Sequence, residues 1–144
     1  MTAVPKIIVD EQPDAASRTE IARALGAYNQ ANVDCPPPFP VAVLLRDPVT
    51  DAVTGGLWGI VSADWLFVEL LFVPEELRGS GLGSKLIAEA EAIAKRKSCI
   101  GVRLDTFTFQ APGFYETQGY TSFGALEDHP RGHRRIYYFK RLVP

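Results

Sequence analysis

The stretch of this chain best equipped for chemistry is Pro74-Glu75-Glu76-Leu77-Arg78-Gly79-Ser80-Gly81-Leu82-Gly83. An apolar run leads into it and an amphipathic pattern follows, so a glycine-rich loop joins a strand to a helix. Glycines let backbone N–H groups converge and let the main chain approach a ligand closely. The helix N-terminus adds unpaired donors and a partial positive charge, and Arg78 adds a full one. Such a cradle suits a pyrophosphate; a glycine-rich turn without a ligand is the plainer reading. Two familiar phosphate loops fail on spacing. Gly79, Gly81 and Gly83 give G-x-G-x-G rather than G-x-G-x-x-G, and Gly83-Ser84-Lys85 reverses the Lys-Ser order of a Walker loop.

Other candidates are single residues. Glu69 is the one charge between Trp65 and Val73. Partial burial there would raise its pKa toward a value useful to a base; a solvent-facing charge or a partner for an arginine is the alternative. Asp105 closes a strand, as polar lining or as partner to Arg103 or another basic residue. His129 and His133 sit in the loop before the last strand, either as base and acceptor contacts or simply solvated. Trp58, Trp65, Tyr28 and Asn29 could line a pocket, although aromatics in regular elements more often serve the core. Cys35 and Cys99 are far apart and have no metal-ligand spacing with the two histidines. No metal is expected, and free thiols fit a reducing compartment.

These residues need a scaffold, and hydrophobic periodicity supplies one. Lys6 to Asp10 reads as a short strand, and Ser17 with Glu20 has the spacing of a capping box. Ile21, Ala24, Leu25 and Tyr28 share the following helix's face, which the prolines from Pro36 onward end. Val41–Arg46 and Val53–Val61 read as a hairpin. Its Gly55-Gly56 pair implies close approach of a backbone or ligand, or else a bulge. Trp65–Val73 has the pattern of a central strand covered on both faces. Leu82, Leu86, Ala90, Ile93 and Ala94 form a helical stripe, and Ile100, Val102, Leu104 and Thr106 alternate as a strand. A helix over about 112–118 stops at Gly119, and strands close the chain near 120–126 and 135–142. Hairpins mixed with crossovers give an α/β chain of the α+β type with a mixed sheet.

At 144 residues the sequence fits a single domain over 1–144. A net charge of −2 gives no basic excess for nucleic acid or an anionic membrane. No segment has the length of a signal peptide core or a membrane span, so a cytoplasmic protein is expected. Exposed strand edges are compatible with a homodimer.

The sequence resembles the GNAT acetyltransferases from about Val41 to Leu142. Arg78, Gly81 and Gly83 match the family's R-x-x-G-x-G coenzyme A signature. Leu104-Asp105-Thr106-Phe107-Thr108-Phe109-Gln110-Ala111, then Phe114-Tyr115-Glu116-Thr117-Gln118-Gly119-Tyr120, then Gly132-His133 follow small bacterial members in order. The resemblance implies one mixed, mostly antiparallel sheet of about six or seven strands with about four helices, splayed open between two central strands. Acetyl-CoA as co-substrate would lie in the opening. Its pyrophosphate would meet Arg78 and the amides of Gly79, Ser80, Gly81, Leu82, Gly83 and Ser84. Its pantetheine arm would pair with the backbone of Leu71, Phe72 and Val73 as an added strand. Ala111 and Phe114 fall on further cofactor positions; Thr108 does too, but where many members carry asparagine.

The resemblance makes Tyr115 the proton donor to the departing thiolate and puts Glu69 where members often place a base. An amide near Leu71 would stabilise the oxyanion. From their positions alone, beside the opening and in the loop before the last strand, Asp105 and His133 are candidates to face the acceptor. The implied reaction is direct attack of a primary amine, from a small molecule or a peptide, on the thioester. A longer acyl-CoA donor and a coenzyme A-binding module without turnover stay open as alternatives.

Overall fold

Six strands and three α-helices alternate in a computed structural model of the chain, which describes residues 3–144. They divide into a unit that ends at Pro37 and a second from Pro38 to Pro144.

The first unit is built around α1 (Ala15–Asn32). Its cap is Asp14 rather than Ser17: the Asp14 carboxylate accepts from the Ala16 amide at 2.9 Å. An aspartate there satisfies an orphan donor and complements the positive end of the helix, leaving Ser17 inside the first turn. The strand expected over Lys6–Asp10 is absent, and Ile7 is 95 % exposed. β-branched residues favour extended backbone, yet a strand also needs a ladder partner, and this segment has none. The helical face of Ile21, Leu25 and Tyr28 exists but is exposed.

The second unit is one six-stranded sheet in the order β1-β2-β3-β4-β6-β5. Its strands are β1 (Phe39–Arg46), β2 (Val53–Ser62), β3 (Trp65–Phe72), β4 (Gly101–Phe107), β5 (Thr121–Glu127) and β6 (Arg134–Arg141). All neighbours are antiparallel except β3 and β4, whose parallel pairing is crossed by α2 (Leu82–Arg96). The short α3 (Pro112–Thr117) follows β4, and a single 3₁₀ turn, Glu75–Leu77, stands in place of a fourth helix. Leu86, Ile87, Ala90 and Ala94 of α2 are buried in one core with Leu57, Leu66, Val102, Leu104 and Tyr138 of the sheet. Ile87 joins the expected stripe, whereas Ile93 is only partly buried.

Two irregularities shape the site. At Gly55-Gly56 neighbouring backbones come close. A Cβ on Gly55 would lie 2.6 Å from the Phe72 carbonyl oxygen, and one on Gly56 would meet the Val43 carbonyl. Further along β2, Trp58 pairs with Leu70 and Gly59 with Val68, so Glu69 is the extra residue of a bulge. The parallel ladder to β4 also ends here, at Val68 with Leu104. Beyond that pair the sheet is splayed, and β3 is not covered on both faces as its composition suggests. Leu70 and Phe72 are 63 % and 54 % exposed because they line the opening.

Candidate active site

The opening is a cleft of about 860 Å³ between β3, the glycine-rich loop, β4 and the start of α3. Its floor is the loop. Gly79 and Gly81 have φ of 82° and 84°, in the left-handed region, and a Cβ on either would meet no protein atom within 4 Å. Gly81 also caps α2, without any side-chain hydrogen bond. The first helical bond runs from Lys85 N–H to the Gly81 carbonyl, so the amides of Leu82, Gly83 and Ser84 precede the helical ladder. Together they form a concave set of donors at the positive end of a helix of 15 residues.

Side chains lock this floor in place. Arg78 Nε donates to the Val73 carbonyl at 2.9 Å and its guanidinium lies over the Phe72 ring, which ties the loop to the strand end. At Gly83 the Phe114 ring packs directly over the backbone, 3.1 Å from where a Cβ would stand, so a side chain there would push the ring away. Gln118 Nε2 donates to Ser84 Oγ at 3.0 Å and ties the end of α3 to the first turn of α2.

The walls are the unpaired edges of β3 and β4. β3 contributes Glu69, Leu71 and Phe72, with Val73 just beyond its end; β4 contributes Asp105 and Thr106. Glu69 is exposed rather than partly buried, because the bulge swings it out of the ladder. Asp105 binds Arg135, whose Nε and Nη2 lie 2.7 and 2.5 Å from the same carboxylate oxygen; Arg103 instead stacks on Phe67. Tyr115, on α3, is buried among Phe114, Tyr120 and Tyr138 and lines the cleft. Burial, with a smaller contribution from the negative charge of Asp105, pushes its pKa up to about 12. A phenol is protonated at neutral pH in any case, and burial holds that proton more firmly.

The cleft thus gathers most of the residues singled out in the sequence, Ala111 and Phe114 included. Ser80, Thr108 and His133 do not line it. Ser80 turns its hydroxyl to the Leu77 carbonyl. Thr108 closes the end of the β4–β6 ladder: its amide donates to the Arg134 carbonyl and its hydroxyl accepts from the Arg134 amide. His133 packs edge-on against Phe109, with Nδ1 at 3.5 Å from the Thr108 hydroxyl. Trp65 packs on Phe139, away from the cleft, and His129 packs on Phe107. Thr106, Phe109 and Gln110 line the cleft without having been singled out. All three stood inside the motif that starts at Leu104, but only pairing geometry reveals what they touch. No group of side chains suited to a metal ion occurs among the described residues, nor any helix long and apolar enough to cross a membrane.

Known proteins share this architecture. The family model described as an acetyltransferase (GNAT) domain matches residues 40–122. The acetyltransferase Atu2258 of Agrobacterium fabrum is 37 % identical over 119 residues, covering 83 % of this chain and 86 % of its own. A crystal structure from Agrobacterium tumefaciens, assigned as an acetyltransferase, superposes with a TM-score of 0.89 at 34 % identity, over 96 % of this chain and all of that one. The blasticidin-S acetyltransferase of Streptomyces morookaense is 49 % identical over 81 residues, which span 56 % of this chain and 60 % of that protein. A splayed mixed sheet, an open anion cradle at its mouth and relatives of this likeness lead to one conclusion: the chain belongs to the GNAT acetyltransferase family.

Proposed function

We propose that the protein transfers the acetyl group of acetyl-CoA to a primary amine by direct attack. The observation that carries this reading is the convergence, in one cleft, of the free α2 amides, the unpaired edge of β3 and the protonated phenol of Tyr115. The pyrophosphate takes the amides of Leu82, Gly83 and Ser84 with Gly79 and Gly81, beside Arg78. The pantetheine arm lies along Leu71 and Phe72 as an added strand. With the Val73 carbonyl engaged by Arg78, that pairing centres on Leu71.

The acceptor enters past Glu69, whose exposed carboxylate takes the ammonium proton directly or through a water. The neutral nitrogen attacks the thioester carbonyl, and the oxyanion is held by an amide near Leu71. Collapse expels the thiolate, which Tyr115 protonates, and the nitrogen then gives its second proton back to the Tyr115 oxygen, directly or through a water. Phe114 holds the loop and α3 together under the cofactor. Asp105, neutralised by Arg135, contributes polar lining rather than a second base.

The chain acts as one acetyltransferase domain, a reading supported by relatives that span most of its length. Its free thiols, Cys35 and Cys99, suit a reducing cytoplasm. Because a similar protein acetylates blasticidin S, that compound leads the panel of acceptors. The deciding experiment is calorimetric titration of acetyl-CoA into the purified protein with Gly81→Trp alongside. Saturable one-site binding that the variant loses supports the reading. Absence of binding by the unaltered protein overturns it.

A further inference from the structure

The splay leaves a problem on β4. β3 departs after the Val68–Leu104 pair, yet β4 continues through Phe107, paired only with β6. The Thr108 amide donates to the Arg134 carbonyl on the β6 side. Successive amides of a strand point to opposite edges, so the Phe107 amide faces the edge that β3 has left. An amide there has no strand to bond.

Gln110 fills that place. Its Oε1 accepts from the Phe107 amide at 3.0 Å and from the Thr106 hydroxyl at 2.9 Å. Thr106 is 3 % exposed, a polar side chain buried in the core, so its hydroxyl also requires a partner. Two donors converging on one atom identify it as the oxygen and fix how the side-chain amide is turned. The Gln110 backbone amide in turn donates to the Phe107 carbonyl at 2.9 Å, closing a tight turn. From this turn the chain passes through Ala111 into α3, which carries Tyr115.

We propose that Gln110 is a positioning residue: it stands in for the missing strand at the splayed edge of β4 and sets where α3 holds Tyr115 in the cleft. Its effect on turnover rests on the acetyl-transfer reading above; its effect on the β4 edge does not. Loss of the side chain frees the Phe107 amide to water and loosens the Thr108–Ala111 connection. The phosphate cradle keeps its own donors in the loop and α2, and α3 stays tied to it through Phe114 over Gly83 and Gln118 on Ser84.

The test pairs backbone amide exchange with kinetics on the full chain. Gln110→Leu keeps the bulk but has no acceptor, and should speed exchange of the Phe107 amide by about tenfold. Gln110→Glu keeps a carboxylate oxygen for both donors, and should leave that exchange within about threefold of the parent. In turnover, Gln110→Leu should lower kcat about tenfold while the KM and Kd for acetyl-CoA stay within about twofold, and Gln110→Glu should recover part of the loss. Unchanged exchange in Gln110→Leu overturns the proposal, as does equal loss of acetyl-CoA binding and turnover. Should the unaltered protein fail to bind acetyl-CoA, the functional reading falls, and the exchange data still decide the role of Gln110.

Discussion

The two halves of β3 have nearly the same composition and opposite fates. In Trp65–Val68, the side chains of Leu66 and Val68 are sealed in the core with α2, and β4 pairs alongside; Leu66 is fully buried. In Glu69–Phe72 the bulge and the loss of β4 leave Leu70 and Phe72 more than half exposed within a cleft. Hydrophobicity therefore marks two functions along one strand. The first half removes apolar surface from water; the second leaves it open in the cleft beside an unpaired backbone edge, where the proposed function seats the cofactor. The boundary is a single ladder position, where Glu69 is squeezed out of register.

The sharpest way to separate the halves is truncation on each side of that boundary. Leu66→Ala should destabilise the protein by about 3 kcal/mol in denaturant unfolding, the cost of a cavity in a close-packed core. Tyr115→Phe, on the cleft side, should lower kcat about a hundredfold and leave the acetyl-CoA KM nearly unchanged, because on the proposed mechanism it removes the proton donor and little volume. The same variant carries a pH signature. Tyr115 has its folded-state pKa raised from 10 to about 12, so its contribution to stability is whole below pH 10 and is lost as pH climbs toward 12. Tyr120 and Tyr138 shift the same way, so stability should fall in alkali in both proteins, and less steeply in Tyr115→Phe by about one proton. The smallest effect belongs to Leu70→Ala: unfolding should change by under about 0.5 kcal/mol while acetyl-CoA affinity weakens about threefold. A Leu70→Ala as destabilised as Leu66→Ala would erase the distinction between the two halves.

The difference between these halves also explains what sequence could and could not foretell. The loop from Pro74 to Gly83, the helix after it and the alternation in β4 are local patterns, and the structure places them where those patterns indicated. Register is not local. The bulge at Glu69 arises from how Trp58 and Gly59 meet β3, and nothing within Trp65–Val73 announces it. The apolar run consequently reads as a fully covered strand, and it leaves Glu69 open between partial burial and a charge facing solvent; the bulge decides for solvent. Gln110 was visible as a letter in a motif, but its bond to Phe107 follows from the departure of β3 on the other side of the cleft. Near the N-terminus the error ran the other way: Lys6–Val9 has the residues of a strand and lacks a partner, and Asp14 outcompeted Ser17 for the helix cap because it stands earlier and is charged.

The arginine in the loop has a consequence for how the cleft behaves in electrolyte. Arg78 gives Nε to a backbone carbonyl and forms no ion pair among the described residues, and the remaining donors of the cradle are uncharged amides. A chain of net charge −2 repels an anionic cofactor weakly at long range, and dissolved ions screen that repulsion beyond about 10 Å at 0.1 M. The proposed amide contacts to the pyrophosphate are hydrogen bonds, well inside that distance. Ionic strength should thus leave affinity for acetyl-CoA almost level, where a pocket paved with lysines would lose its ligand steeply as salt is added.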